Sequence, residues 1–281
     1  MADMSTELRI GLVRYLNAKP LYDGLNQLLP KATFITDLPS RLAMRLQAGD
    51  LDVALIPSVE FLRSGQKLGY IAMPGVSIAA AGHVRSVKLL SHVDFPQIRR
   101  LAMDEGSRTS QALCRVWLHG VYGVLPREIE ELPIGVPPEE STADAVLVIG
   151  DRAMRLPEAE FRHVVDMGQA WNQWTGLPFV FAVWAVRPQG VSDLDELSLK
   201  LIQCRDMGLK NVSNIAAANA GLYNLSVDEI VYYLTQQLSY DFGEAQIAGL
   251  RLFAAKASQM GLVPEGCDIV LHRTRDTAKS R

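Results

Sequence analysis

Three hydroxyls and a guanidinium stand in a row at Ser107-Arg108-Thr109-Ser110. They follow a short strand-like stretch at 100–103 and the turn Asp104-Glu105-Gly106, and they precede a helical run at 111–119. A strand that passes into a helix through such residues offers side-chain donors, unpaired backbone N–H groups and the positive end of a dipole. A carboxylate or phosphate fits there. The same residues also describe an ordinary hydroxyl cap with a surface arginine. The spacing GxxxxGK[ST] is absent, which removes the usual phosphate loop and disfavours ATP chemistry.

Other candidates sit at further strand ends. Asn17, in RIGLVRYLNAKPLYDGL, ends an apolar strand read at 8–13. In open α/β sheets that end faces helix N-termini and collects small anions; Asn17 serves equally well as a helix cap or turn residue. Ser86 lies on the alternating segment 84–90, either as a packing choice or as a ligand contact. Gly150 and Asp151 close the buried strand read at 143–149. Glycine there admits a ligand close to backbone, while Asp151 accepts hydroxyl hydrogen bonds, orients a neighbour or caps the next helix. Ser58, after a third strand, reads as a cap. His83, His92, His119, His163 and His272 fall in places read as loop or helix surface, and no cluster has metal-ligand spacing. Trp171 and Trp174 share a helical face and read as packing residues.

The elements that must carry these residues alternate. Strands at 8–13, 32–36 and 51–56 enclose a proline-led helix at 39–48, which implies a parallel sheet with right-handed crossovers and one ligand crevice at its edge. The pattern breaks near 92–97, restarts with the strand at 100–103, and runs through 164–167 and 179–186. After Arg187-Pro188 the chain reads as helical, with capping boxes at Ser192 and Ser226 and an apolar face of Ile247, Leu250, Phe253 and Ala257. The expected organisation is a first lobe of 1–95 plus 188–281 and a second lobe of 96–187, with a cleft between them. The polar tail at 272–281 is expected to be disordered.

Composition narrows the class. A chain of 281 residues carries a substantial core, and a net charge of −3 leaves no basic footprint for nucleic acid or an anionic membrane. The three cysteines, Cys114, Cys204 and Cys267, are far apart and read as reduced thiols. The start MADMSTEL lacks an apolar signal core and a lipid-attachment cysteine, so a cytoplasmic location is expected. The longest apolar run, 177–186, is far short of the ~20 residues that span a bilayer.

The stretches YLNAKPLYDGL at 15–25, LQAGDLDVALIPSVEFL at 46–62, SRTS at 107–110, ADAVLVIGDRA at 143–153 and WNQWTGLPFVFAVWA at 171–185 resemble the MqnA family. These are the chorismate dehydratases of the futalosine route to menaquinone. The resemblance implies an α/β fold of two lobes, similar to type 2 periplasmic binding proteins. It implies loss of water from chorismate to give 3-[(1-carboxyvinyl)oxy]benzoate, with no metal or cofactor required; monomer and homodimer both stay open. Asn17 and Ser86 match active-site positions, Asn17 to orient the departing hydroxyl or the enolpyruvyl group and Ser86 to donate or relay a proton. Ser107, Thr109 and Ser110 are expected to clamp a carboxylate, with Arg108 assisting, and Gly150 and Ser58 to touch substrate. The base is Asp151, Glu60 or the substrate's own enolpyruvyl carboxylate, the last being preferred because a cleft built for two carboxylates resists a third. Two rivals remain: the related 1,4-dihydroxy-6-naphthoate synthase, and a cytosolic non-catalytic receptor for small anions.

Overall fold

A computed structural model describes residues 7–273. The first sheet begins with β1 (Arg9–Val13), whose five residues are almost wholly buried. A 3₁₀ turn at Leu16–Leu21 and a four-residue helix α1 (Leu25–Leu28) return the chain to β2 (Thr33–Asp37). The helix expected after Asn17 is thus a tight turn. Pro20 inside it donates no N–H, and Gly24 at φ 87° breaks the backbone before α1. Helix α2 (Pro39–Ala48) starts at the proline and stops at left-handed Gly49; β3 (Val53–Pro57) and α3 (Ser58–Leu68) follow. Strand β4 (Ile71–Ala80) ends this first pass.

The chain then crosses to a second sheet. It contains β5 (Val87–Ser91), β6 (Arg100–Asp104), β7 (Glu128–Leu132), β8 (Ala145–Ile149) and β9 (His163–Asp166), with α4 (Arg108–Tyr122) after β6 and α5 (Met167–Thr175) after β9. It returns as β10 (Phe179–Val186). Strand order is β2-β1-β3-β10-β4 in one sheet and β7-β6-β8-β5-β9 in the other. In each, three parallel strands are extended by two antiparallel pairings: β10 against β3 and β4, and β5 against β8 and β9.

Sheet membership moves both expected lobe boundaries. β5 belongs to the second sheet, not to the first lobe expected at 1–95, and β10 belongs to the first sheet, not to the second lobe expected at 96–187. The crossings lie at 81–86 and 176–178. The breaks read as boundaries are local: Phe95–Gln97 is a single 3₁₀ turn, and Arg187-Pro188 only ends β10.

Helices α6 (Leu194–Lys210), α7 (Val212–Tyr223), α8 (Val227–Tyr232) and α9 (Glu244–Gln259) complete the chain. α6 packs on β4 and on the 3₁₀ turn that carries Asn17, and α9 packs on β10. Gly208 fixes the contact with the turn, since a Cβ there would collide with the Pro20 carbonyl oxygen. The Ser226–Glu229 capping box forms; at the start of α6 the cap is Asp193 rather than Ser192, accepting from Glu196 N–H at 2.9 Å. Trp171 is fully buried, edge-on to Trp174 and Phe179, as a packing residue. Of the tail expected to be disordered, His272 bonds Asp195 at 2.8 Å, and 274–281 lie outside the described residues. Among the described residues no helix is long and apolar enough to cross a membrane.

Candidate active site

A cleft lies between the two sheets, lined by residues of both. Tyr15 and Asn17 reach it from the turn after β1, Pro39 and Pro57 from the starts of α2 and α3, and Phe181 and Ala182 from β10. Gly106, Ser107 and Ser110 reach it from the start of α4, and Gly150 from the end of β8. Ser86, on the crossing segment, lines it as well. Three helix starts therefore converge on one space, each with backbone N–H groups that have no intrahelical acceptor.

Of the residues predicted from sequence, Asn17, Ser86, Ser107, Ser110 and Gly150 line the cleft. Asn17 makes no side-chain cap, and its Oδ1 is buried without a hydrogen-bond donor; its backbone carbonyl accepts from Tyr240 Oη at 2.9 Å. Ser107 is both a cap and a wall residue. Its Oγ accepts from Ser110 N–H at 3.2 Å and donates to Ser110 Oγ at 2.9 Å. Ser86 is 2% exposed, its carbonyl accepts from Gly150 N–H at 2.8 Å, and its Oγ accepts from Tyr233 Oη at 2.9 Å.

Ser58, Arg108, Thr109 and Asp151 do not line the cleft. The Ser58 hydroxyl is consumed by the Val180 carbonyl at 2.7 Å. Thr109 Oγ1 instead accepts from Val59 N–H at 3.3 Å, and Arg108 pairs with Glu60 at 3.2 Å, so both tie α4 to α3 across the lobes. Glu60 is held by Arg63 as well, at 2.8 Å, which removes it as a free base. Asp151 faces an adjoining groove with Arg152, Arg155 and Tyr223. Burial pushes its carboxyl up to about 6, against the pull of Arg155 and Arg14. Among the described residues that line the cleft there is no carboxylate, no histidine and no cation.

A sequence model of a family described as menaquinone biosynthesis matches residues 8–259. The chain belongs to that family. A chorismate dehydratase of Thermus thermophilus is 33% identical over 87% of this chain and 93% of its own length. One of Campylobacter jejuni is 22% identical over 90% and 98%. Among solved structures, an Archaeoglobus fulgidus protein superposes with a TM-score of 0.74 at 14% identity, covering 93% of this chain and all of its own. The periplasmic aliphatic sulphonate binding protein of Escherichia coli gives 0.64 at 15%, covering 95% and 92%. These likenesses establish the two-lobed periplasmic-binding-protein-like fold.

In this member of the menaquinone biosynthesis family, sequence reading missed the second layer of the site. Tyr15 lines the cleft, its phenol pushed up by burial and then by Asp104. It stands two residues before Asn17, so its position was legible. Asp104 is 1% exposed and holds the cleft floor: Oδ1 accepts from Gly106 N–H at 2.9 Å, and Oδ2 accepts from Ile149 N–H at 3.3 Å. Arg152 closes this network with bonds of 2.9 and 2.6 Å to the same oxygen. Tyr233 and Tyr240, far along the chain, had no local signal at all.

Proposed function

We propose that this member of the family eliminates water from chorismate to give 3-[(1-carboxyvinyl)oxy]benzoate, as a carbon–oxygen lyase acting in the cytoplasm. Its three free cysteines suit a reducing compartment. The observation that carries the chemistry is the cleft itself: Asn17, Ser86, Ser107 and Ser110 converge there and no charged side chain lines it.

The ring proton to be removed lies on the ether-bearing carbon, conjugated through a ring double bond to the ring carboxylate. Deprotonation spreads negative charge onto that carboxylate, and expulsion of the neighbouring hydroxyl leaves an aromatic ring. Ser110, whose Oγ accepts from Ser107 and so keeps its own proton to donate, and the start of α4 supply a hydroxyl donor and the dipole end that favour this charge. Asn17 orients the departing hydroxyl; Ser86 gives it a proton and takes back the ring proton collected by the substrate's enolpyruvyl carboxylate, so one water leaves and both groups return to their starting states. The base is the enolpyruvyl carboxylate of the substrate: no side chain of the cleft competes for the role, and a carboxylate held without a cationic partner is more basic than one in water.

The test is to mix purified protein with chorismate and follow the ultraviolet spectrum and product mass. An aromatic product lighter by one water is expected, with kcat lowered by about 100-fold or more in Asn17→Ala and Ser86→Ala. Saturable binding of chorismate without turnover would replace the lyase by a small-anion receptor, and turnover of a cyclised futalosine instead would favour the naphthoate synthase.

A further inference from the structure

Ser86 is held more firmly than an ordinary loop serine. Arg85, just before it, has φ 64°, in the left-handed region that costs a side-chain-bearing residue free energy. Ser86 N–H bonds back to the Val84 carbonyl at 2.7 Å, which closes a three-residue turn around Arg85. Asp166 grips this turn, accepting from Val84 N–H at 3.0 Å and Arg85 N–H at 2.6 Å, and Glu229 pairs with the Arg85 guanidinium at 2.8 Å. A strained turn tied down at so many points fixes the direction in which its neighbour's side chain leaves.

The proton on Ser86 is directed as well. After α8 the helix widens into a π turn over Tyr233–Gln237, a feature that often re-aims a side chain. The following strip is sewn to β4: Ala79 and Ser239 exchange N–H to carbonyl bonds at 2.8 Å, and Ser77 N–H reaches the Tyr240 carbonyl at 3.0 Å. This places Tyr233, 1% exposed, behind the cleft wall with its Oη 2.9 Å from Ser86 Oγ. Burial keeps the phenol protonated far above its ordinary range, so it remains a donor. Among the described residues Tyr233 is the one side chain that bonds Ser86 Oγ, and Ser86 lines the cleft.

We propose that Tyr233 is a positioning residue that occupies the acceptor side of Ser86 Oγ and thereby commits the serine proton to the substrate's departing hydroxyl. This rests on the dehydration proposed above. The phenol transfers nothing itself. Its hydrogen bond polarises the serine O–H, which makes Ser86 a stronger donor at the moment the carbon–oxygen bond breaks.

The test is a double-mutant cycle on chorismate turnover by the full chain: Tyr233→Phe, Ser86→Ala and the double variant, with kcat and KM measured separately. Tyr233→Phe is expected to lower kcat roughly 10- to 100-fold with KM little changed, and to have no further effect once Ser86 is alanine. A purely structural tyrosine would instead lower activity by the same factor in both backgrounds, and that result overturns the proposal, as does an unchanged kcat. If Tyr233→Phe does not fold, 4-aminophenylalanine at 233 takes its place as a weaker donor of similar shape, with the same cycle and the same two refuting outcomes. A wild-type protein inert toward chorismate would sink the dehydratase reading rather than the geometry, and is told apart by the first measurement.

Discussion

Replacing Asp104 by alanine should unbalance the cleft more than any change to the lining itself. Asp104 sits at the end of β6, 1% exposed, and accepts four hydrogen bonds: two from Arg152 and one each from the N–H groups of Gly106 and Ile149. Removing one partner of a buried ion pair costs about 3–5 kcal/mol, because the other charge is left without compensation. Here the lower end applies. Arg152 keeps three carbonyl acceptors, on Pro133, Ile134 and Val136, at 2.9–3.1 Å, so its charge is not fully stranded. A loss of about 3 kcal/mol lowers the melting temperature by roughly 5 °C for a chain of this size. Chemical denaturation and calorimetry on Asp104→Ala, Arg152→Ala and the double variant would measure it. The double variant should lose clearly less than the sum of the singles, because each single already breaks the same bonds. The exposed pair between Arg100 and Glu128, 3.4 Å apart with Glu128 at 72% exposure, is the control, and Glu128→Ala should cost about 0.5 kcal/mol or less. A loss in Asp104→Ala no greater than in this control, or strict additivity in the cycle, would refute the account of the cleft floor.

Asp151→Asn should retain a near-normal kcat if the substrate supplies the base; a loss of several orders of magnitude at intact binding would make Asp151 that base. The same variant reads the buried carboxyl of Asp151, whose folded pKa burial raises from the ordinary carboxyl value of 3.8 to about 6. Between those values the folded state holds the proton and the unfolded state does not, so wild-type stability falls as pH rises from about 4 to 6 and is level above. The unfolding free energy from urea titrations across that window should fall for wild type, by up to about 3 kcal/mol in total, and stay flatter for Asp151→Asn. Thr109→Ala removes the acceptor for Val59 N–H between α3 and α4 and should cost about 1 kcal/mol in denaturant unfolding, while Arg108→Ala should leave KM for chorismate within about threefold, since the guanidinium pairs with Glu60 and does not line the cleft. A large rise in KM for Arg108→Ala would restore the arginine to the carboxylate clamp.

The sequence was legible wherever one local rule decided the outcome. Buried strands announce themselves by unbroken apolar runs, as in β8 and β10, and Pro39 and Gly49 mark helix limits by backbone chemistry alone, whereas the helix read at 111–119 runs on as α4 to Tyr122. That Asn17, Ser107, Ser110 and Gly150 line the cleft was legible because strand ends and helix starts meet at the crevice of an α/β sheet. The motifs that resemble the family lie on those same elements. What the sequence could not decide is which way a residue faces once two elements meet. Arg108 and Thr109 stand between Ser107 and Ser110, yet on a helix successive residues point in different directions, and the presence of α3 turns those two into ties between lobes. Lobe membership also escaped it, because β5 and β10 join sheets through antiparallel pairings that no local pattern encodes. The contact between Tyr233 and Ser86 spans 147 positions of the chain, and the unpartnered Asn17 Oδ1 is a property of the assembled cleft. Chain-local chemistry therefore determined the elements and the hydroxyl-rich strand ends, while tertiary packing alone decided which hydroxyls line the cleft and which tie α3 to α4.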